Sequence, residues 1–433
     1  MKRYLPMVVT LAMFASVLAG CGGGKESDKS GSSSGAASGG SSSKNATLKI
    51  FTSKVELSEQ FNRLKTDYEK EHPGVKLQIE WITSENYDTQ LKAKFASGEM
   101  PDIFNNVGFS QKDVWLEHME DLSDQPWVKD ELPIAKDPMT KDGKIYGMPM
   151  NLESLGIIYN KDLFTKAGIT DIPKTYTELK TVVDKLNAAK IQPFVTSYQT
   201  WFGLGYHFMN NAFAKQPDPN AFIDGLNKGT ETITTNKIFE DWVKLFDLFV
   251  QNGDPKPLSV DRDTGFSEFG AGKAAMIMSG NYLEAPLKQM KSTVNAGVMP
   301  IPLNDDAALN DKIFVSPPTN WVVYKDSPVK EQAKEFLNWL VTSKTGQHYI
   351  TEEFQFIPAF QSIKVSDGVM GPLSQDTLSY VKQGKVLGWY FSKFPAGAGQ
   401  QFGSAMQKHI AGNIDGKQML EEIQAAWNST KAK

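Results

Sequence analysis

Hydrophobic and polar positions alternate in residues 47–52 and again in 75–81, a pattern that predicts two β-strands. Between them, apolar residues recur at helical spacing until the His-Pro-Gly at 72–74. A second helical pattern ends at Gly98, and residues 101–104 predict a third short strand. The order strand, helix, strand, helix, strand is typical of a parallel sheet covered by helices.

Residues 146–161 form an extended pattern in which Glu153 is the only carboxylate among apolar neighbours. Strand and helix units precede and follow this stretch, so we interpret it as a strand that passes from one lobe to another. Asn151 and Glu153 would then lie in the cleft between the lobes. Later segments continue the α/β scheme. Strands are predicted at 193–196, 274–278, 313–316 and 320–324. Helices are predicted after Thr177 as an N-cap, at 237–250 with Trp242 in the core, at 329–341, and elsewhere in the last third except for 384–403.

The loops that follow the strands are candidate binding positions, because ligands of open α/β sheets bind outside the carboxyl ends of the strands. In the first half these loops are 53–56, 81–86 and 105–109. Trp201 and Tyr282 follow later predicted strands. Such residues suit a sugar, because the apolar face of its ring stacks on Trp or Tyr while Asn, Asp and Glu bind its hydroxyls.

Length and charge narrow the class of protein. A chain of 433 residues with 40% hydrophobic residues is long enough for two cores. Its formal net charge is −4, and without a basic excess a nucleic-acid partner is not favoured.

The N-terminus has the features of a secreted and lipid-anchored protein. Lys2 and Arg3 precede an apolar run at 4–18, which predicts a signal peptide over 1–20. The sequence Leu-Ala-Gly-Cys that ends at Cys21 resembles the bacterial lipobox, so we expect cleavage before Cys21 and lipidation of its thiol, with palmitate as one acyl chain. Residues 21–45 are rich in Gly and Ser and predict a flexible tether to the outer face of the cell membrane. Cys21 is the only Cys, which excludes an intrachain disulfide.

Catalytic alternatives remain open from the residues alone. The five His residues are scattered and form no H-E-x-x-H motif, so neither a metal site nor another cofactor is expected. Glu153 with Asp261 and Asp263 could supply the acid and nucleophile of an extracellular lipid-anchored glycoside hydrolase. A binding protein for a non-sugar solute, such as a polyamine or a phosphate ester, is a further alternative, although Arg, which phosphate sites favour, is scarce.

A family resemblance covers nearly all of residues 46–430. Six short segments carry it by their order and spacing: GEMPDI at 98–103, DGKIYGMP at 142–149, GIIYNKDLF at 156–164, PKT at 173–175, FGAGKAAM at 269–276 and AKEFL at 333–337. Together they resemble the extracellular solute-binding proteins of carbohydrate ABC importers, the maltose-binding-protein-like family. The resemblance implies an α/β, two-lobe periplasmic-binding-protein fold with mostly parallel sheets. It further implies a hinge of three chain crossings, expected near Asn151, Pro317 and Phe354. The lobes are then expected at 46–152 with 317–354, and at 153–316 with 355–433.

The same resemblance suggests which side chains bind the ligand. Glu153 matches an acceptor of sugar hydroxyl groups, Tyr282 matches a stacking aromatic residue, and Trp201 falls near another stacking position. The full set of expected ligand-binding residues is Glu56, Asn106, Phe109, Asn151, Glu153, Trp201, Asn281, Tyr282, Asn320, Trp321, Trp389 and Phe394. The Trp residues could instead pack in a core, and Asn151, Asn281 and Asn320 could instead cap turns or helices.

The function that the resemblance implies is binding without catalysis. A monomer would capture a carbohydrate, with the number of aromatic candidates favouring an oligosaccharide, and deliver it to the membrane permease subunits of an ABC importer. The protein would remain on the extracellular face of the membrane through its N-terminal lipid.

Overall fold

The computed structural model of the chain describes residues 45–431, with the side chains of residues 84 and 85 excepted. The predicted signal peptide, Cys21 and the tether as far as residue 44 lie outside the described residues. Within the described part, no helix is both long enough and apolar enough to span a membrane.

Strands and helices alternate along most of the described chain. The strands are β1 Ala46–Thr52, β2 Val75–Trp81, β3 Ile103–Asn106, β4 Thr140–Lys141, β5 Lys144–Ile145, β6 Met148–Pro149, β7 Glu153–Asn160, β8 Gln192–Val195, β9 Ala274–Ser279, β10 Ala296–Met299, β11 Ile313–Ser316, β12 Asn320–Val323 and β13 Val386–Leu387.

The α-helices are α1 Ser58–Glu71, α2 Ser84–Ser97, α3 Phe109–Trp115, α4 Pro133–Lys136, α5 Lys161–Lys166, α6 Tyr176–Ala188, α7 Met209–Ala214, α8 Pro219–Lys228, α9 Lys237–Gln251, α10 Arg262–Gly270, α11 Glu284–Gln289, α12 Lys330–Thr342, α13 Lys344–His348, α14 Pro372–Lys382, α15 Ala398–Ile410 and α16 Gly416–Thr430. The shorter helical turns are 3₁₀-helical at Val55–Leu57, Leu116–His118, Pro126–Lys129, Asp137–Met139, Pro257–Ser259, Asn281–Leu283 and Tyr390–Lys393, and π-helical at Gly203–Phe208 and Tyr349–Glu353.

The first sheet has the strand order β2-β1-β3-β12-β6. β1 runs parallel to β2 and β3, as the alternating pattern of the first hundred residues predicts. β12 is antiparallel to both β3 and β6. The carboxyl end of β3 and the start of β12 therefore meet, with Asn106 opposite Asn320.

The second sheet is mixed, and the expectation of mostly parallel sheets is wrong for it. Its order is β13-β11-β7-β9-β8, and β10 also pairs with β7. β7 is antiparallel to β9, β10 and β11, whereas only β8 with β9 and β11 with β13 are parallel pairs. The apolar run at β9 could not reveal this, because a strand buried on both faces has the same composition in either direction.

The chain passes between the two sheets at neighbouring points. β6 of the first sheet leads into β7 of the second, and β11 of the second leads into β12 of the first. The Met150 N–H donates to the Thr319 carbonyl at 3.2 Å, and the Leu152 N–H donates to the Ile357 carbonyl at 2.9 Å. Three segments of chain thus run side by side between the sheets.

Most helix predictions agree with the structure, with corrections at two ends and in one stretch. Residues 354–371, predicted to be helical with the rest of the last third, contain no helix, because the chain there forms turns and isolated β-bridges. α6 begins at Tyr176, and its N-cap is Thr175, which forms a capping box with Glu178. The prediction of Thr177 as the cap is wrong, because that hydroxyl donates to Asp305 at 2.8 Å instead. The non-helical stretch predicted at 384–403 ends earlier than expected, since α15 begins at Ala398.

The amphipathic pattern of α9 is confirmed, and with it the core position of Trp242. Its ring is fully buried, and its indole N–H donates to the Phe208 carbonyl at 3.0 Å. The helix thereby fixes the segment that carries His207 and Phe208, which leads to the candidate site.

Candidate functional site

A group of polar side chains lies where β7 begins. The Glu153 carboxylate accepts a hydrogen bond from the Asn151 amide at 3.3 Å, and its Oε1 lies 3.8 Å from Lys54 Nζ. The Glu153 and Lys54 side chains are 18% and 17% exposed. Asn151 Oδ1 is buried and has no hydrogen-bond partner among the described residues. Because a carboxylate can accept several hydrogen bonds, this group retains capacity for a polar ligand.

Lys54 also pairs with Glu56, at 3.9 Å, in the turn that follows β1. The Glu56 side chain is 60% exposed, so this contact lies at the outer edge of the group. Sequence reasoning selected the loop 53–56 and its Glu56, but it did not single out Lys54, which lies deeper and contacts Glu153.

Asn106 and Asn320 meet beside this group but serve mainly the backbone. The Asn320 amide donates to the Asn106 carbonyl at 3.0 Å, and Asn320 Oδ1 is buried without a partner in the described chain. The Asn106 side chain accepts from the Gly108 N–H at 2.7 Å, an Asx turn that shapes the loop after β3. Of the two, only Asn320 keeps an unused acceptor.

A group of aromatic side chains, which we term the wall, lies in helical turns and loops outside the strands: Trp201, Tyr206, His207, Tyr282 and Phe391. The π-helical segment after Trp201 carries Tyr206 and His207, whose rings lie 5.5 and 5.7 Å from the Phe391 ring. Trp201 is half-buried and lies 5.3 Å from Tyr206. The Tyr282 ring lies 6.3 Å from His207. These rings join the short turn after β9 to the loop before α15.

The titratable rings of His207 and Tyr282 are held neutral. Burial, together with a smaller contribution from the charge of Arg262, lowers the pKa of His207 to about 4. Burial raises the pKa of Tyr282 to about 12, to which the Glu153 carboxylate contributes. At neutral pH this wall therefore offers uncharged donors, acceptors and ring faces, whereas the charge of the site lies on Lys54 and Glu153.

Asn281 is occupied by contacts within the protein. Its Oδ1 accepts from the Ser154 N–H at 2.8 Å, and its amide donates to the Ser374 hydroxyl at 3.4 Å. Gly280 makes this possible, because a Cβ there would lie 1.8 Å from the Ser154 carbonyl. The prediction of a ligand contact at Asn281 gains no support from these bonds, which hold the Tyr282 turn against β7.

Three predicted aromatic residues lie in cores instead. Trp321 is 3% exposed and packs edge-on against Phe61 at 6.0 Å. Phe394 packs against Phe213 at 4.5 Å. Trp389 is buried and stacks on the wall residue Phe391. These positions do not favour ligand contacts at Trp321 or Phe394, whereas Trp389 supports the wall from behind.

Phe109 follows β3 but faces a cation. Lys393 Nζ lies over its ring at 4.6 Å from the centroid. Phe109 adopts a left-handed φ of 48°, and the preceding Gly108 packs so closely on the Asp137–Met139 turn that a Cβ would lie 2.5 Å from Pro138. One face of the Phe109 ring is therefore covered by Lys393 and is not free to stack on a sugar.

Sequence reasoning did not single out Tyr206, His207 and Phe391. Tyr206 and His207 lie in a helical segment, where aromatic residues usually indicate a core, and their contacts with Phe391 join parts of the chain that are far apart in sequence. Phe391 lies next to the predicted Trp389, so the loop was selected but the residue was not.

Two surface pockets lie elsewhere, with volumes of about 470 and 420 Å³. The first is lined by residues between Ile169 and Lys185, and the second by residues between Glu284 and Leu373. Neither lining includes an aromatic side chain or one of the residues expected to bind the ligand. Without a ring to stack on, they suit a sugar less well than the polar group and the aromatic wall.

Comparison with known proteins identifies a family and a fold. The family model described as bacterial extracellular solute-binding protein matches residues 52–347. The melibiose/raffinose/stachyose-binding protein MelE of Bacillus subtilis is 25% identical in an alignment that covers 77% of this chain and 76% of the relative. The maltodextrin-binding protein MdxE of the same organism is 26% identical, over 72% of this chain and 73% of the relative.

Solved structures agree on the fold. The ligand-free form of RafE from Streptococcus pneumoniae superposes with a TM-score of 0.77 at 19% identity, covering 91% of this chain and 100% of that one. RafE in complex with raffinose gives a TM-score of 0.73 at 18% identity, covering 89% of this chain and all of the other. At this level of identity the structures establish the two-lobe α/β fold.

Proposed function

Because the chain belongs to the bacterial extracellular solute-binding proteins, we propose that it captures an oligosaccharide between its two lobes and delivers it to an ABC importer. The family is a non-enzymatic component of transporters. The names of the relatives MelE and MdxE, which include raffinose, stachyose and maltodextrin, support an oligosaccharide as the ligand class.

The observation that carries the proposal is the pairing of two kinds of surface. Lys54, Glu153 and Asn151 supply charged and amide groups for hydroxyls. Tyr282 and His207 stand nearby as uncharged rings that suit the apolar face of a sugar. A ligand held between them would contact both lobes at once.

The proposed mechanism is closure of the lobes around the sugar. We take residues 46–152 and 317–354 as the first lobe, and 153–316 and 355–433 as the second. The ligand favours the closed state by the difference between its affinities for the closed and the open state. The three adjacent segments that join the sheets would be the hinge, because few residues there need to change their dihedral angles.

The N-terminal part of the proposal concerns location. Lipidation of Cys21 would hold the protein at the outer face of the cell membrane, and the tether at 21–45 would let it reach the permease subunits as a monomer. Labelling of cells with a palmitate analogue tests this, and loss of the label in C21S is the expected result.

The alternative of a glycoside hydrolase finds little in the carboxylates proposed for it. Asp261 caps α10 by accepting from the Thr264 N–H at 2.7 Å, and Asp263 pairs with Arg262 at the surface. These contacts explain both residues without catalysis.

A thermal-shift panel of melibiose, raffinose, stachyose and maltotriose tests the function. Stabilisation by at least one sugar, without release of shorter sugars on prolonged incubation, is the expected result. Release of products would favour a hydrolase, and stabilisation only by a polyamine or a phosphate ester would favour a non-sugar solute.

A further inference from the structure

Residues 388–394, which we term the strap, belong to the second lobe but contact the first. Asn210 of the second lobe fixes the strap, because its Oδ1 accepts from the Tyr390 N–H at 2.7 Å and its amide donates to the Gly388 carbonyl at 3.3 Å. On the other side, the Ser110 hydroxyl of the first lobe donates to the Ser392 carbonyl at 3.0 Å. The strap therefore links the two proposed lobes.

Lys393 is the residue of the strap whose side chain contacts both proposed lobes. Its Nζ donates to Asn220 Oδ1 of the second lobe at 2.7 Å and lies 3.4 Å from Asp137 Oδ2 of the first. The same Nζ lies over the first-lobe Phe109 ring at 4.6 Å and over the second-lobe Tyr390 ring at 5.3 Å. One cation thus joins an anion and two ring faces across the cleft.

The first-lobe partners of Lys393 lie in two segments that pack against each other. Phe109 begins α3, and Asp137 begins the turn Asp137–Met139. The start of α3 and this turn are in direct contact, because the backbone of Gly108 packs on Pro138. The anion and the ring that receive Lys393 are therefore presented together, as a preformed receptor for one ammonium group.

We propose that Lys393 is a clasp: a positioning residue that stabilises the closed arrangement of the lobes and so slows release of the bound sugar. This inference rests on the proposed function for its effect on sugar, but the effect on the lobes requires no sugar. It also reassigns Phe109, which was expected to bind ligand, to the contact between the lobes. A surface ion pair and a cation–π contact together shift such an equilibrium by about three- to tenfold.

A contact that favours the closed state raises the apparent affinity for a sugar, because the sugar is held by both lobes only after closure. Contacts that exist only after closure act on dissociation more than on association. Loss of the clasp should therefore appear mainly as a faster off-rate, which a merely structural role of Lys393 would not produce.

The test compares K393M, which removes the charge and keeps the length, with K393R, D137N and the K393M/D137N double variant. The matched control is K408M, since Lys408 pairs with Glu422 inside the second lobe at 2.9 Å. Small-angle X-ray scattering of the sugar-free full chain reports the separation of the lobes. Stopped-flow tryptophan fluorescence with raffinose, or with whichever panel sugar binds, reports the rates.

The expected result for K393M is a larger radius of gyration or an off-rate about three- to tenfold higher, with an association rate changed by less than about twofold. K393R should match the parent in radius of gyration and off-rate, and so should K408M. D137N should give a smaller effect than K393M, and the K393M/D137N double variant should behave like K393M alone. If K393M matches the parent in both scattering and off-rate, the clasp is refuted. If no sugar binds the parent, the proposed function fails, and scattering alone then decides on the clasp.

Discussion

Glu153 is the residue on which the account of sugar binding depends most, so its substitution is the sharpest perturbation. E153Q keeps the shape of the side chain and removes its charge, whereas E153A removes the acceptor altogether. A hydrogen bond to a charged group contributes about 1.5–3 kcal/mol and a neutral one about 0.5–1.5 kcal/mol. We therefore expect E153Q to weaken sugar binding roughly five- to tenfold, and E153A by roughly tenfold or more.

The neighbours of Glu153 predict a second effect, on stability. At 3.8 Å from Lys54 Nζ, the carboxylate interacts with a side chain that is as shielded as itself. An exposed ion pair contributes about 0–1 kcal/mol to stability, whereas removing one partner of a fully buried pair costs about 3–5 kcal/mol. Because this pair is partly buried, E153Q should lower the free energy of unfolding by about 1–3 kcal/mol. A loss of affinity must therefore be separated from a loss of folded protein.

Glu120 supplies the matched control. Its carboxylate lies 2.8 Å from Lys334 Nζ, and the two side chains are 17% and 12% exposed, close to the values for Glu153 and Lys54. Glu120 lies at the other end of β12 from Asn320, where its N–H donates to the Val323 carbonyl. E120Q should lower stability to a similar degree and leave sugar affinity unchanged.

Isothermal titration calorimetry at a temperature well below unfolding measures the affinities, and urea denaturation measures the stabilities. Equal affinity of E153Q, E153A and the parent would refute the assignment of Glu153. Equal weakening by E120Q would show that the loss follows stability rather than contact with sugar.

Three further outcomes follow from the same structure. W201A should weaken sugar binding by about 1–3 kcal/mol with little change in unfolding free energy, because the ring is half-buried, and calorimetry on the same sugars checks this. W321A should instead cost about 3–5 kcal/mol of stability in urea denaturation, since the ring is buried against Phe61. His409 Nε2 lies 2.7 Å from Asp247 Oδ1, and this hydrogen bond raises the pKa of His409. The pair should therefore stabilise the fold fully below about pH 6.5 and lose this effect as the pH rises through the raised pKa. In urea denaturation, the parent should be more stable than H409Q at low pH, and the difference should shrink at high pH.

Each of these has a contradicting result. Unchanged affinity of W201A would return that ring to a packing role. A W321A variant that folds as stably as the parent but binds sugar weakly would restore Trp321 to the ligand contacts. A parent protein whose stability relative to H409Q is the same at pH 5.5 and 8.5 would remove the pH dependence from the His409 pair.

The sequence predicted the elements well because their signals are local. The alternation in β1 and β2 and the stop at 72–74 need only neighbouring residues to be recognised. The prediction placed the cap of α6 two residues late, although the spacing of Thr175 and Glu178, which form the capping box in the structure, is a signal that the sequence contains. The direction of β7 is a property of the whole sheet, so its antiparallel pairing had no local signal.

The site was less predictable, for a reason that Trp201 and Trp321 illustrate. Both lie next to predicted strand ends, yet Trp201 is half-buried in the wall, whereas Trp321 belongs to a strand covered on both faces. His207 was not predicted because its neighbour Tyr282 is far from it along the chain, so that only the fold brings the two rings together. Composition and spacing identify the kind of residue that a sugar needs, but the packing around each ring decides which of them is available.

The most direct test of the central claim is calorimetric titration of the full chain with raffinose, stachyose and maltotriose. The account predicts saturable binding of at least one of them, with one sugar per chain and with the sugar recovered intact. Absence of binding for the whole panel, together with saturable binding of a polyamine or a phosphate ester, would contradict it.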